Sequence, residues 1–176
     1  MTGRIIVAGS GGQGIMVLGK VLTQAAMREN KFVTWLPSYG AEVRGGTAHC
    51  MVIISDEEIG SPYVDKADSL IIMNAPSLEK FKARLKNKGS LIVNSSLASG
   101  ARDKNAQTLE FPFSDIAIRL GNIKIANMVA LGCFIAHEKI VSLASVFKAI
   151  SDIAPKDKKG LIEINKRALE EGARLK

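Results

Sequence analysis

Cysteine is scarce in this chain: Cys50 and Cys133 are the only two in 176 residues, far apart and outside any C-x-x-C spacing. A self-contained iron–sulfur or zinc site is thereby excluded, and both thiols read as buried apolar fillers. Aromatic residues make up only 5%. The lysines are spread out, densest at 80–88 and 156–159, so they read as solvated helix faces and no nucleic-acid partner is expected. No apolar stretch reaches the ~18 residues of a membrane span. The N-terminus lacks the charged, apolar and cleavage-site order of a signal peptide, so a cytoplasmic protein with no membrane partner is expected. Paired acids, a metal cluster and a nucleophile elbow are also missing. The two histidines, His49 in a strand and His137 in an apolar helix, have no local partner and read as structural. No catalytic residue and no metal ligand is assigned to this chain.

What remains is an apolar, basic chain. With 47% hydrophobic residues it is long enough for one well-packed domain and short for two, so residues 1–176 are taken as one domain. A net charge of +7 and a pI near 9.5 favour anionic partners such as nucleotides or acidic protein surfaces. Apolar runs at 4–8, 32–36, 47–54, 68–73, 89–94 and 108–112 predict strands. Helical spacing of Ile15, Val17, Leu18, Val21, Leu22, Ala25 and Ala26 predicts an amphipathic helix over 14–29. Further helices are predicted near 76–87, 113–120, 125–138, 142–152 and 158–174. The strand–helix–strand rhythm across 68–94 is that of a parallel sheet, which makes the fold class α/β. The expected architecture is a single open, doubly wound, mostly parallel sheet with helices on both faces.

Between the first strand and the first helix stands Gly9-Ser10-Gly11-Gly12-Gln13-Gly14. A strand, a glycine turn and a helix start leave backbone N–H groups at the positive end of a helix dipole, which suits phosphate or another anion. Gly9, Gly11 and Gly14 fit G-x-G-x-x-G, a spacing that names no particular ligand; a turn that only needs small residues for packing fits as well. A dinucleotide site further wants an acid at the end of the second strand. That strand runs into Pro37, Ser38, Tyr39 and Gly40, and the nearest carboxylate, Glu42, lies beyond a Pro and a Gly.

A second constellation, Ser38-Tyr39-Gly40-Ala41-Glu42-Val43-Arg44-Gly45-Gly46, joins the second and third strands. Its glycines allow close backbone approach, while Tyr39, Glu42 and Arg44 offer a hydroxyl, an acceptor and a rigid donor fork. It reads equally as a recognition loop and as an ordered structural one. Both loops are expected at the carboxyl ends of the strands, lining one site or one interface.

Taken together these segments resemble the gamma subunit, or gamma domain, of the 2-oxoacid:ferredoxin oxidoreductases, with the 2-oxoglutarate type favoured. The resemblance runs through Ile5 to Gly14, through S-Y-G-x-E-x-R-G-G at 38–46, through Ser55-Asp56-Glu57-Glu58-Ile59-Gly60-Ser61-Pro62, and through the helix opening Asn127-Met128-Val129-Ala130. It implies a part of a larger enzyme that oxidatively decarboxylates a 2-oxoacid with coenzyme A to acyl-CoA, CO2 and reduced ferredoxin. Thiamine diphosphate, Mg2+ and [4Fe–4S] clusters are implied for the complex, held principally by the other subunits, and no cofactor for this chain alone. The implied partners are alpha and beta subunits, with delta as a further candidate, together with CoA and, through the complex, ferredoxin. On the same footing Gly9, Ser10, Gly11, Gly12, Gln13, Gly14, Ser38, Tyr39, Gly40, Glu42, Arg44, Gly45, Gly46 and Asn127 become candidates for the CoA side of the active site or for an interface. A stand-alone nucleotide-dependent oxidoreductase and an assembly-only module are the competing readings.

Overall fold

The structure is a computed structural model, and it describes residues 1–38, 47–100, 104–154 and 159–175. Six strands form one open sheet: β1 Thr2–Ser10, β2 Phe32–Ser38, β3 Thr47–Ser55, β4 Ala67–Ile72, β5 Leu85–Asn94 and β6 Gln107–Phe111. Their spatial order is β2-β3-β1-β4-β5-β6. β1, β4, β5 and β6 pair in parallel, whereas β3 runs antiparallel to both neighbours. β3 is thus the one reversed strand, and it separates β2 from β1.

The sheet is buried on both faces, which is why its strands read as continuous apolar runs. In β1, Ile5 and Val7 enter one core while Ile6 and Ala8 enter the other, the two-residue alternation of a pleated strand. The first face carries α1 Ile15–Arg28, α3 Phe113–Arg119, α4 Ala126–Glu138, α5 Leu143–Ile153 and α6 Lys159–Ala173. The opposite face carries α2 Ala75–Phe81 and the segment before β4, through Phe81, Leu78, Ile59 and Val64. Among the described residues α-helices therefore lie on both faces, five against one.

Of the expected stripe α1 buries Ile15, Leu18, Val21, Leu22, Ala25 and Ala26, while Val17 stays 50% exposed. α4 is buried along nearly its whole length. It crosses α6 so closely that a Cβ added at Gly132 would stand 2.1 Å from the Leu169 carbonyl, and one at Gly172 2.0 Å from that of Val129. Two helix starts follow from side-chain caps. Asn74 accepts from the Ser77 N–H at 3.1 Å to open α2, and Ser142 accepts from that of Ser145 at 3.2 Å to open α5.

The helix expected near 76–87 is shorter. α2 ends at Phe81, one 3-10 turn follows at Lys82–Arg84, and β5 begins at Leu85. Lys, Ala, Arg and Leu are good helix formers. Here pairing overrides them: Leu85 joins Ala67 in β4, and Lys88, with φ +64°, donates its N–H to the Asn105 carbonyl at 2.6 Å.

Candidate functional site

The strand directions bring several chain segments to one sheet edge. β1 ends there at Ser10, beside Thr47 where β3 begins; β2 ends at Ser38, opposite His49; β4 and β5 run out into Met73-Asn74 and Asn94. Both described ends of the 38–46 constellation, Ser38 and Thr47, thus lie on the same edge as the glycine loop. Tyr39, Gly40, Glu42, Arg44, Gly45 and Gly46 fall outside the described residues. Ser38 is described and exposed.

The glycine loop is held from within. Gln13 bends back so that its Oε1 accepts the Ser10 N–H at 2.6 Å, while its Nε2 donates to the Met73 carbonyl at 3.2 Å. The Ser10 carbonyl in turn accepts the Gln13 N–H at 3.2 Å. Asn74, whose Oδ1 is committed to capping α2, donates from Nδ2 to Ser10 Oγ. Ser10 is therefore an acceptor toward Asn74, and its own hydroxyl proton is left to donate elsewhere.

Gly12 and Gly14 take φ of +88° and +72°, the left-handed region that favours glycine. At Gly14 the neighbour is fixed as well: Asn127 Nδ2 donates to the Gly14 carbonyl at 3.1 Å, and a Cβ on Gly14 would stand 2.3 Å from that nitrogen. Asn127 is buried at the start of α4, with Oδ1 accepting the Met128 N–H at 2.9 Å. The helix that leaves this turn has no side-chain cap and no acid in its first turn. Its positive end carries no compensating acid in that turn. Of the loop's N–H groups, those of Ser10 and Gln13 are spent internally, and those of Gly11, Gly12 and Gly14 donate to none of the described residues. A Cβ at Gly11 or Gly12 would meet nothing within 4 Å. Between α1, α4, α5 and α6, a hollow of about 140 Å3 lies among Val17, Val21, Met128, Ile150 and Leu161.

Sequence reasoning placed Gly9 to Gly14 and Asn127 here and missed three supports. Asn74, Asn94 and Ser114 tie the loop to the next two strands: fully buried Asn94 donates to the Met73 carbonyl at 3.3 Å and to Ser114 Oγ at 2.8 Å, and accepts the Ser114 N–H at 3.2 Å. The available signal was an Asn directly after each of two apolar runs, Met73-Asn74 and Val93-Asn94. In contrast, the dinucleotide geometry does not form among the described residues. The strand beside β1 on that side is the reversed β3, and β2, one place further out, ends on Ser38 with no acid.

Neither cysteine belongs to this edge chemistry. Cys50 packs its sulfur 3.7 Å from the Ile15 carbonyl, Cys133 lies inside α4, and burial pushes both thiols up to about 12. His137 Nδ1 sits 2.9 Å from the Cys133 carbonyl one turn back, a structural contact. Among the described residues no three His, Cys, Asp or Glu side chains gather as a metal site, and no helix is long and apolar enough to cross a membrane.

The profile of the pyruvate ferredoxin/flavodoxin oxidoreductase family matches residues 4–175. The chain belongs to that family. It is 36% identical to the 2-oxoglutarate synthase subunit KorC of Methanocaldococcus jannaschii, over 94% of this chain and 92% of that one. It is 35% identical to the ketoisovalerate oxidoreductase subunit VorA of Methanothermobacter marburgensis over 97% of this chain, but spans only 36% of VorA. Among solved structures, the gamma subunit of a keto/oxoacid ferredoxin oxidoreductase from Geobacter sulfurreducens superposes with a TM-score of 0.82 and 31% identity, covering 97% of this chain and 95% of that one. A 2-oxoglutarate:ferredoxin oxidoreductase of Magnetococcus marinus, solved with 2-oxoglutarate, coenzyme A and succinyl-CoA bound, gives 0.88 and 25% identity, covering 99% of this chain and 31% of that one. Within this family the open, mixed α/β sheet is the shared fold.

Proposed function

We propose that this chain is the gamma subunit of a cytoplasmic 2-oxoacid:ferredoxin oxidoreductase, with 2-oxoglutarate as the favoured oxoacid. The complex would convert the oxoacid and CoA to acyl-CoA, CO2 and reduced ferredoxin. The observation that carries the reading is the near end-to-end likeness to KorC and to the Geobacter gamma subunit. Iron–sulfur clusters do not fit this chain: cubane ligation asks for four thiolates, and the two cysteines here are buried and held in the thiol form. Clusters, thiamine diphosphate and Mg2+ are therefore assigned to alpha and beta subunits, with delta as a further candidate.

The chain's own contribution is assembly and the CoA side of the active site. Three N–H groups that donate to none of the described residues, at an uncapped helix start, and the donor hydroxyl of Ser10 form a cradle for CoA phosphate oxygens. Arg44, in the stretch of sequence between Ser38 and Thr47, is assigned to CoA phosphate or to a partner carboxylate. The test is capture of a tagged chain from its native cells. Alpha and beta subunits with cluster absorbance in the captured complex support the reading, and a free chain that retains NAD contradicts it.

A further inference from the structure

The stretch Ser55 to Pro62 belongs to the family resemblance yet takes no part in the glycine-loop edge. It opens the segment 56–66, which crosses the face of the sheet opposite the five helices, anchored by Ile59 and fully buried Val64. Tyr63, between those anchors, remains 57% exposed. Arg84 holds it in place: Nε donates to the Asp65 carbonyl at 3.0 Å and Nη2 to that of Val64. The same guanidinium lies 5.3 Å from the centre of the Tyr63 ring and 5.9 Å from that of Phe81. Lys80 Nζ is 5.7 Å from the Phe81 centre, and the His49 ring is 4.7 Å from it. Three basic side chains thus converge on one aromatic ring.

None of them has an anion among the described residues. Among the described residues no carboxylate pairs with Lys80 or Arg84, Arg84 Nη1 has no partner, and His49 Nδ1 is buried without a hydrogen bond. Burial, then Lys80 and Arg84, hold His49 below its ordinary pKa, as crowded cations should. Half-buried Leu36, Ile59 and Leu78 pack against the same apolar cluster as Phe81 and Val64. Guanidinium held by backbone carbonyls and stacked on aromatic rings loses little freedom when it pairs, and Tyr and Arg with an apolar surround are the usual anchors of protein interfaces.

We propose that Tyr63, Lys80, Arg84 and His49 form the docking surface for a carboxylate-bearing face of a partner subunit, on the side of the sheet opposite the main helical layer. This assignment rests on the subunit reading above. Affinity is measured between the tagged chain and the remaining subunits of the captured complex, at several salt concentrations. Tyr63→Ala with Lys80→Glu removes no side-chain hydrogen bond of the fold and should weaken association about thirtyfold, with a shallower salt dependence. Arg84→Lys should weaken it about tenfold although the charge is kept. The assignment is overturned if the double variant binds within twofold of wild type. It is equally overturned if the variants assemble normally but need more CoA, which makes the face a ligand site, or if they lose only RNA binding. A wild-type chain that captures no oxidoreductase subunit removes the subunit reading itself, and this surface with it.

Discussion

The Asn127 carboxamide donates to the Gly14 carbonyl at 3.1 Å across a turn whose φ of +72° leaves no room for a Cβ, because that atom would lie 2.3 Å from Asn127 Nδ2. The contact joins the first turn of α4 to the start of α1, residues far apart in the chain. Gly14→Ala should therefore cost about 1–2 kcal/mol for the left-handed backbone alone, and more for the clash. Adding Asn127→Ala should return the clash and not the backbone cost, so the two changes are non-additive. Urea unfolding of both single variants and the double variant reads this out. Equal midpoints for Gly14→Ala and wild type would contradict it.

The α4–α6 crossing gives a second contrast. At Gly132 and Gly172 the obstructing atoms are backbone carbonyls, which cannot swing aside. Gly132→Ala and Gly172→Ala should each cost about 1–3 kcal/mol or more, as the helices are forced apart. Gly160, in the first turn of α6, meets nothing within 4 Å. Gly160→Ala should be neutral or stabilise by up to about 1 kcal/mol through the unfolded chain. Thermal unfolding of the three variants separates them by sign.

How much of this was legible in the sequence depends on what kind of information each feature carries. The stripe Ile15, Leu18, Val21, Leu22 writes α1 into the chain directly, since a 3.6-residue period has no other reading. A run such as 50–54 in β3, buried on both faces, marks a strand but says nothing of its direction. The reversal of β3 between β2 and β1 is decided by pairing alone. The Lys-rich 82–88 stretch misled for the opposite reason: its propensity is helical and its partner in β4 is distant in sequence. At the site, the glycines announced the turn, while Asn74 and Asn94 were single polar residues whose role appears only when β4 and β5 place them beside Gln13 and Met73.

Both thiols offer a pH test. Cys50 and Cys133 keep their protons up to about 12 in the folded chain, whereas an unfolded cysteine ionises near ~8.5. Their contribution to stability is complete below that unfolded value. It is lost as pH rises toward the folded one, because only the unfolded state then releases protons. At pH 8 a thiol reagent should label neither cysteine until denaturant is added. Fast labelling of the native chain would show that one of them is accessible and ionised.

Arg44 is assigned a bidentate contact, so Arg44→Lys should behave like Arg44→Ala despite its charge. If the partner is CoA, complexes carrying either variant should assemble and require on the order of tenfold more CoA. If the partner is a carboxylate of another subunit, assembly should weaken instead. Wild-type assembly and CoA requirement in both variants would leave Arg44 a solvated loop residue.

The most direct measurement is CoA-dependent ferredoxin reduction with 2-oxoglutarate, pyruvate or a branched-chain oxoacid as substrate. It is made on the purified chain, on the remaining subunits, and on the two recombined under anaerobic conditions. Recombination should restore turnover that neither part shows alone, with 2-oxoglutarate the preferred substrate. Turnover by this chain alone, or undiminished turnover by the complex without it, would contradict the account.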